Sequence, residues 1–458
     1  MPPLPAAKLF QEMERLEALA CMPVADSYQL AGNLGRIYRA AATANFSDYD
    51  IAAVRTAAPA LMYRIFDMRM GLRSRIAEFE RRGLMTPNVI QGLRDVFRIL
   101  RYVTDMLGEI ATGNARIGEG QHGPLGFTGS NNNTLVNYAF YNGKDLPFRS
   151  GDVVLVRGQA HNSAAIARIG TSDSQFSHTG MVYIDPAGKH WMVESLIEDG
   201  ALVKPLGDAL AHGIVRAVLY RHKDTEMAGR AATLIHDYVQ RSRAQGRRPI
   251  LYDFTMRLDD RRKLFCSKLV RYAFAQASNG QYLLSTYKTQ IEMKNRDFLD
   301  RIGVATTQTY APADIDLESQ FDLVAEWQDY RETSNIRLQD FTMDKLFEWM
   351  DVRGYRFEET TAVRLVSVLG RMSAHFTAGT KEFLSSVFPR VPINMPRKTV
   401  AAVAMLHKTA EPIYHELQEL ELQCIAKTGR PQHGDEIFEH LEEIRRRGAG
   451  RVGYLVRF

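Results

Sequence analysis

Cysteine is scarce: Cys21, Cys266 and Cys424 are the 3 in 458 residues. Three thiols cannot staple so long a chain, and an odd number leaves at least one free, which implies a reducing compartment or a thiol with a chemical job. No run of about 18 apolar residues occurs, so no transmembrane helix is expected. The opening text MPPLPAAKLFQEMERLEALA has no unbroken apolar stretch, because Glu12, Glu14, Arg15 and Glu17 interrupt it. No secretory signal is expected from it. The expected location is therefore the cytoplasm, or outside it by a route without an ordinary signal peptide. Motifs for metal are missing too: there is no His-Glu-x-x-His pair and no C-x-x-C, and no phosphate-cradling G-x-x-x-x-G-K-[ST] either. No metal or cofactor is expected. Excess charge is also slight, with 58 Lys plus Arg against 53 Asp plus Glu, which gives no reason to expect a nucleic-acid partner.

What is present is ordinary globular text, 45% hydrophobic and 24% charged, in a chain long enough for more than one core. Residues 1–115 read as helical: after Thr86-Pro87, an N-cap followed by proline, Ile90, Leu93, Phe97, Leu100, Val103, Leu107 and Ile110 recur at helical spacing. Residues 116–145, rich in Gly and Asn, read as a linker or long loop. The period then changes. GDVVLVRG (151–158), HTGMVYID (178–185), HWMVESL (190–196) and IVRAVLYR (214–221) are short, β-branched or aromatic, and bounded by turn residues, which predicts a small antiparallel sheet. Asp185-Pro186-Ala187-Gly188 suits the hairpin between the second and third. Residues 225–245 read as helix, as does CSKLVRYAFAQASNG, which ends at Asn279-Gly280. From 311 to 458 the text is again helical, with TTAVRLVSVLGRMSAHF and TVAAVAMLHKTAEPIYHELQELELQCIA as its strongest segments. No internal repeat is evident.

Three residues of the middle region suit one another chemically. Cys266 opens an amphipathic helix, where the partial positive charge of the N-terminus favours a thiolate. His178 opens a strand and offers an imidazole to take the thiol proton, and Glu194 on the next strand offers an acceptor that would fix the ring. Taken singly, each is as well explained as a core or loop residue. Ser174 and Ser177 are rival nucleophiles, but neither lies in a G-x-S-x-G elbow, and both read as turn or capping residues. Cys21 and Cys424 read as core. The cations Arg261, Arg262 and Lys263 precede the thiol; they either form a solvated face or line the cleft and attract an anionic substrate.

The segments GDVVLVRG, SHTGMVY, VES, YDF and FCSKLV resemble the permuted NlpC-type papain-like cysteine hydrolases of the YiiX/YebB-like branch, and more distantly the lecithin retinol acyltransferase type. The resemblance covers about 150–290, and the order His, Glu, Cys is that of the permuted branch. It implies an α+β fold, in which a small antiparallel sheet packs on the helix bearing the cysteine, with this domain at 146–310; the helical regions on either side lie outside the resemblance. It also implies Cys266 as nucleophile, His178 as general base and acid, and Glu194 as its orienting partner. Tyr252 stands where the family often has an aromatic or polar residue and is either an oxyanion donor beside the Cys266 N–H or a core residue, and Asp253 beside it reads as support for a loop or for the orientation of a neighbour. The expected activity is hydrolysis of an acyl bond in a peptide or in peptidoglycan. Hydrolysis or transfer of lipid esters is the alternative, with a phospholipid substrate, peripheral membrane contact, and service as a secreted effector matched by an immunity protein. A third reading is an inactive binding or adaptor module.

Overall fold

The computed structural model describes residues 4–113, 133–144, 146–168, 170–211, 213–244, 247–291, 297–359 and 394–458. The chain opens with α1 (Ala7–Cys21), α2 (Ser27–Ala42), α3 (Ile51–Ser74), α4 (Ile76–Arg81) and α5 (Pro87–Thr112). Thr86 is extended at the N-cap of α5 with Pro87 at its first position, although its hydroxyl caps nothing. Leu93, Phe97, Leu100, Leu107 and Ile110 of α5 are buried, as their spacing predicts.

The centre is a seven-stranded sheet made of β1 (Thr134–Val136), β2 (Val153–Gly158), β3 (His178–Ile184), β4 (His190–Leu196), β5 (Gly200–Pro205), β6 (Ile214–His222) and β9 (Phe321–Gln328). Their order is β1-β9-β6-β2-β3-β4-β5, antiparallel throughout. The four strands expected from the text are there, and the fold is the expected α+β arrangement of an antiparallel sheet flanked by helices. Two further strands require a correction of the expected boundaries. Residues 133–144, read as linker, supply β1, and the C-terminal region, read as helical, supplies β9. β1 has only three residues, and β9 carries Glu326 and Gln328 fully buried, so neither shows the apolar pattern of an interior strand.

Both faces of the sheet are covered, which is why VVLV in β2 is a continuous apolar run. Val153 and Leu155 join Met181, Val193 and Val218 on the face packed by Ala231 and Ile235 of α8 (Thr225–Arg243) and Leu269 and Val270 of α9 (Cys266–Ala277). Val154 and Val156 share the other face with Val182, Met192, Leu206 and Leu210. Between these elements lie α6 (His161–Ile166), α7 (Leu206–Leu210), β7 (Thr289–Gln290), α10 (Asp297–Ile302) and β8 (Gln308–Thr309). α9 ends as expected, with Asn279 and Gly280 both at positive φ.

The C-terminal part, α11 (Thr333–Val352), β10 (Tyr355–Phe357), α12 (Arg397–Thr428), α13 (Gly434–Arg447), β11 (Arg451–Val452) and β12 (Leu455–Arg457), builds a second core together with Ala164 and Ala165 of α6 and Phe298 and Leu299 of α10. The segment TTAVRLVSVLGRMSAHF lies outside the described residues. Buried ion pairs tie the parts together. Arg101 of α5 lies 2.7 Å from Asp316 and 3.3 Å from Glu326 of β9. Arg337 of α11 reaches Glu109 of α5 at 2.7 Å and Glu421 of α12 at 2.8 Å.

Candidate active site

Sheet register sets the first half of the site. Gly180 of β3 faces Glu194 of β4, so His178, two residues earlier on β3, is the diagonal neighbour of Glu194 on the same face. A Cβ at position 180 would lie 2.5 Å from Met192 Sδ and 3.3 Å from Glu194 Cβ; glycine keeps the space through which the carboxylate reaches the ring. His178 Nε2 lies 2.5 Å from Glu194 Oε2. Lys204 of β5, opposite Met192 in register, puts its ammonium 2.7 Å from the other oxygen, Oε1. Lys204 was missed in the sequence because GALVKP, which opens on glycine and closes on lysine and proline, has too mixed a pattern to read as a strand.

The second half is the start of α9. Phe265 is extended at the N-cap and no side chain caps the helix, so its first N–H groups face the site unshared with a capping oxygen. The residues leading into the helix are fixed to the sheet and to the strand-like text before them. Ser195 Oγ of β4 donates to Leu264 O at 2.5 Å, and Leu264 N donates to Leu251 O at 3.1 Å. Cys266 is the first helical residue and is 5% exposed.

Electrostatics couple the two halves. Burial opposes charge on the His178 imidazole, but its hydrogen bonds to Cys266 and Glu194 outweigh burial and raise its pKa to about 10. Burial likewise pushes the Cys266 thiol up, yet the hydrogen bond and charge of His178 bring it below its ordinary value, with help from the Ser267 hydroxyl and the Thr179 backbone N–H. Glu194 is held below the usual carboxylate value against its burial, by His178 first and Lys204 second. Since Nε2 is taken by the carboxylate, Nδ1 is the nitrogen left for sulfur. Thiolate and imidazolium therefore coexist from below the ordinary thiol pKa up to about 10.

Glu194→Gln tests this coupling. Losing the carboxylate charge removes one support of the imidazolium and, through it, of the thiolate. The alkaline limit of Cys266 reactivity is expected to move down and the acid limit up, and turnover to fall about tenfold, the difference between a charged and a neutral hydrogen bond. A pH–rate profile with both limits unmoved would break the link between Glu194 and the sulfur.

The remaining residues singled out in the sequence divide. Tyr252 is buried in the same cavity wall as Cys266; burial first, and the neighbouring Cys266 second, raise its phenol well above the ordinary value, so it stays a proton donor. Asp253 is bound instead to Lys268 of α9, 2.6 Å away with both side chains buried, and to the Thr255 hydroxyl at 2.6 Å. It anchors the helix that carries Cys266. The reading of Arg261, Arg262 and Lys263 as cleft cations is corrected: all three are exposed, Arg262 pairs with Asp260, and none belongs to the cavity wall among the described residues. The cations that do reach it are Arg94, Arg98 and Arg101 of α5. Their signal was an i, i+4, i+7 spacing on one helix face. Cys21 and Cys424 are also corrected. Cys21 is exposed and Cys424 half-buried, since α1 turns Met13, Leu16 and Ala20 inward and α12 turns Ile413 and Leu417 inward. Ser174 makes the expected local turn, its Oγ accepting from Phe176 N at 3.0 Å.

Residues 147–314, which hold β2 to β6, α9 and the three side chains above, match the family model described as permuted papain-like amidase enzyme, YaeF/YiiX, C92 family. The match supports a cysteine hydrolase of the permuted papain-like class acting on an amide. No curated protein and no solved structure matches the chain. Among the described residues, no helix is long and apolar enough to cross a membrane.

Proposed function

We propose that the chain is a thiol-dependent amidase working through Cys266, His178 and Glu194. The observation that carries this reading is the pairing of a thiol held below its ordinary pKa with an imidazole held near 10, at the mouth of a helix and on the wall of a cavity. In the first step Cys266 Sγ attacks the amide carbonyl carbon, and the carbonyl electrons move to oxygen. The Cys266 backbone N–H and the Tyr252 hydroxyl are the donors for that oxyanion. As the tetrahedral species collapses, the C–N bond breaks, and His178 gives its proton to the departing nitrogen. A thioester and a free amine result. Water then attacks the thioester while His178 takes its proton, and the acid leaves with the thiolate restored. Glu194 holds the ring throughout and offsets its positive charge.

An inactive binding module would have no use for a thiol whose pKa is held below its ordinary value against its own burial. Alkylation with a limiting amount of iodoacetamide near neutral pH separates the two. Cys266, although buried, is expected to label ahead of exposed Cys21 by an order of magnitude or more, and to lose that lead in His178→Ala. Equal, slow labelling of both cysteines would reject the amidase.

A further inference from the structure

Glu194 is held from two sides. In register, Gly180 of β3 and Leu202 of β5 are its partners, and Lys204 is the partner of Met192. His178 and Lys204 therefore lie on the face of Glu194 and reach it diagonally, from opposite directions along β4. The ring takes Oε2 at 2.5 Å and the ammonium takes Oε1 at 2.7 Å. Among the described residues, neither that oxygen nor the ammonium has another partner. The carboxylate side chain is 5% exposed, so water does little to spread its charge and the two cations share it.

Charged groups on the neighbouring elements are engaged elsewhere or face solvent. Arg157 of β2 pairs with Asp340, and Lys268 of α9 with Asp253. Arg271 of α9 lies toward Tyr310 and Glu318, Glu198 after β4 bears on the Tyr252 phenol, and His236 of α8 stacks on Tyr183. Asp208 of α7 and the other charged residues of α8 are exposed. Lys204 is thus the cation that acts on the pair of His178 and Glu194.

The pair has two opposite tasks. In acylation His178 gives a proton to the leaving nitrogen, and in hydrolysis of the thioester it takes one from water. A buried carboxylate with the ring as its sole counterion favours the imidazolium so strongly that the ring makes a poor base. We propose that Lys204 is a positioning residue for hydrolysis of the acyl-enzyme: it shares the charge of Glu194, which leaves His178 free to become neutral and to take the proton of the attacking water. The inference rests on the amidase reading for the acyl-enzyme itself. In that step the water oxygen bonds to the thioester carbon as its proton passes to His178; the C–S bond then breaks, the acid leaves, and Cys266 keeps the electron pair as thiolate. Lys204 exchanges no proton; it acts by repelling charge on the ring.

The test uses the full chain and p-nitrophenyl acetate. Cys266 Sγ displaces nitrophenolate and leaves an acetyl thioester, and with so good a leaving group the hydrolysis of that thioester limits turnover. The acid limit of turnover then reports the ring in the acyl-enzyme. In Lys204→Met this limit is expected to rise by about one pH unit, which slows turnover about tenfold below the limit and leaves it near the wild-type rate well above it. Lys204→Arg, which returns the charge, is expected to return the limit. Lys204→Gln stands in if circular dichroism shows that the methionine variant does not fold. A loss of equal size at every pH would overturn the proposal, since Lys204 would then only hold the carboxylate in place; so would a limit that stays or falls. A wild type that releases nitrophenolate no faster than Cys266→Ala would instead sink the amidase reading.

Discussion

Cys266→Ala is expected to reduce amide turnover by roughly ten-thousandfold or more, and His178→Ala to reduce it nearly as far. Without sulfur no thioester forms, and no other thiol can substitute: Cys21 ends α1 and Cys424 lies on α12, neither of them in the wall of the cavity among the described residues. Without the imidazole the thiol returns toward the value that its burial favours, and the leaving nitrogen loses its proton source. Because the two residues act in one step, their losses are not additive, and the double variant is expected to be no slower than Cys266→Ala alone. Initial rates on an aminocoumarin amide, with circular dichroism to establish that each variant is folded, measure this directly. Cys266→Ala retaining a tenth of the wild-type rate would remove sulfur from the mechanism. A double variant much slower than either single one would mean that Cys266 and His178 serve separate steps.

The parts of this site that were legible in the sequence are those that depend on local periodicity. HWMVESL is β4 over the full range read from it, and Glu194 stood out there as a carboxylate inside an apolar strand. His178 and Cys266 could be read because each begins an element, where the change of period is sharp. Lys204 was hidden by the mixed text of β5, GALVKP, which lacks the alternation or apolar run of a strand. The choice between cleft and solvent for Arg261 to Lys263 was not legible, because nearness along the chain is not nearness in space: they lie in the loop ahead of α9 and face solvent, whereas Arg94, Arg98 and Arg101, which do line the cavity, come from a helix more than 150 residues upstream of Cys266. The limits of the sheet failed for a related reason. β9 is held in the interior by the pairing of Glu326 with Arg69 and Arg101, and no local pattern announces a strand whose buried charge is satisfied by a helix more than 200 residues away.

Asp340→Ala is expected to cost about 3–5 kcal/mol of stability. The Asp340 carboxylate has no solvent contact and lies 2.8 Å from Arg157 and 3.1 Å from Arg168, both equally enclosed; it also accepts from the Tyr102 hydroxyl at 3.0 Å. Burial already pulls the Arg157 guanidinium below its ordinary value with the carboxylate in place. Removing Asp340 leaves two guanidinium groups in the interior with one fewer negative charge, and neither can move to water without opening the contact of α11 with α6 and the sheet. A domain of ordinary stability has about 5–15 kcal/mol in total, so the variant keeps only part of its margin. Asp340→Asn, which retains the shape and one acceptor, is expected to lose less than the alanine variant but still more than an exposed substitution. Urea titration followed by tryptophan fluorescence reads both, with Trp349 of α11 buried in the neighbouring core. A loss below about 1 kcal/mol for Asp340→Ala would mean that Asp344, 2.9 Å from Arg168, takes over the pairing. Met343, three residues along the same helix, lines the cavity that Cys266 also lines, so loosening α11 is also expected to lower the labelling rate of Cys266 before unfolding is complete.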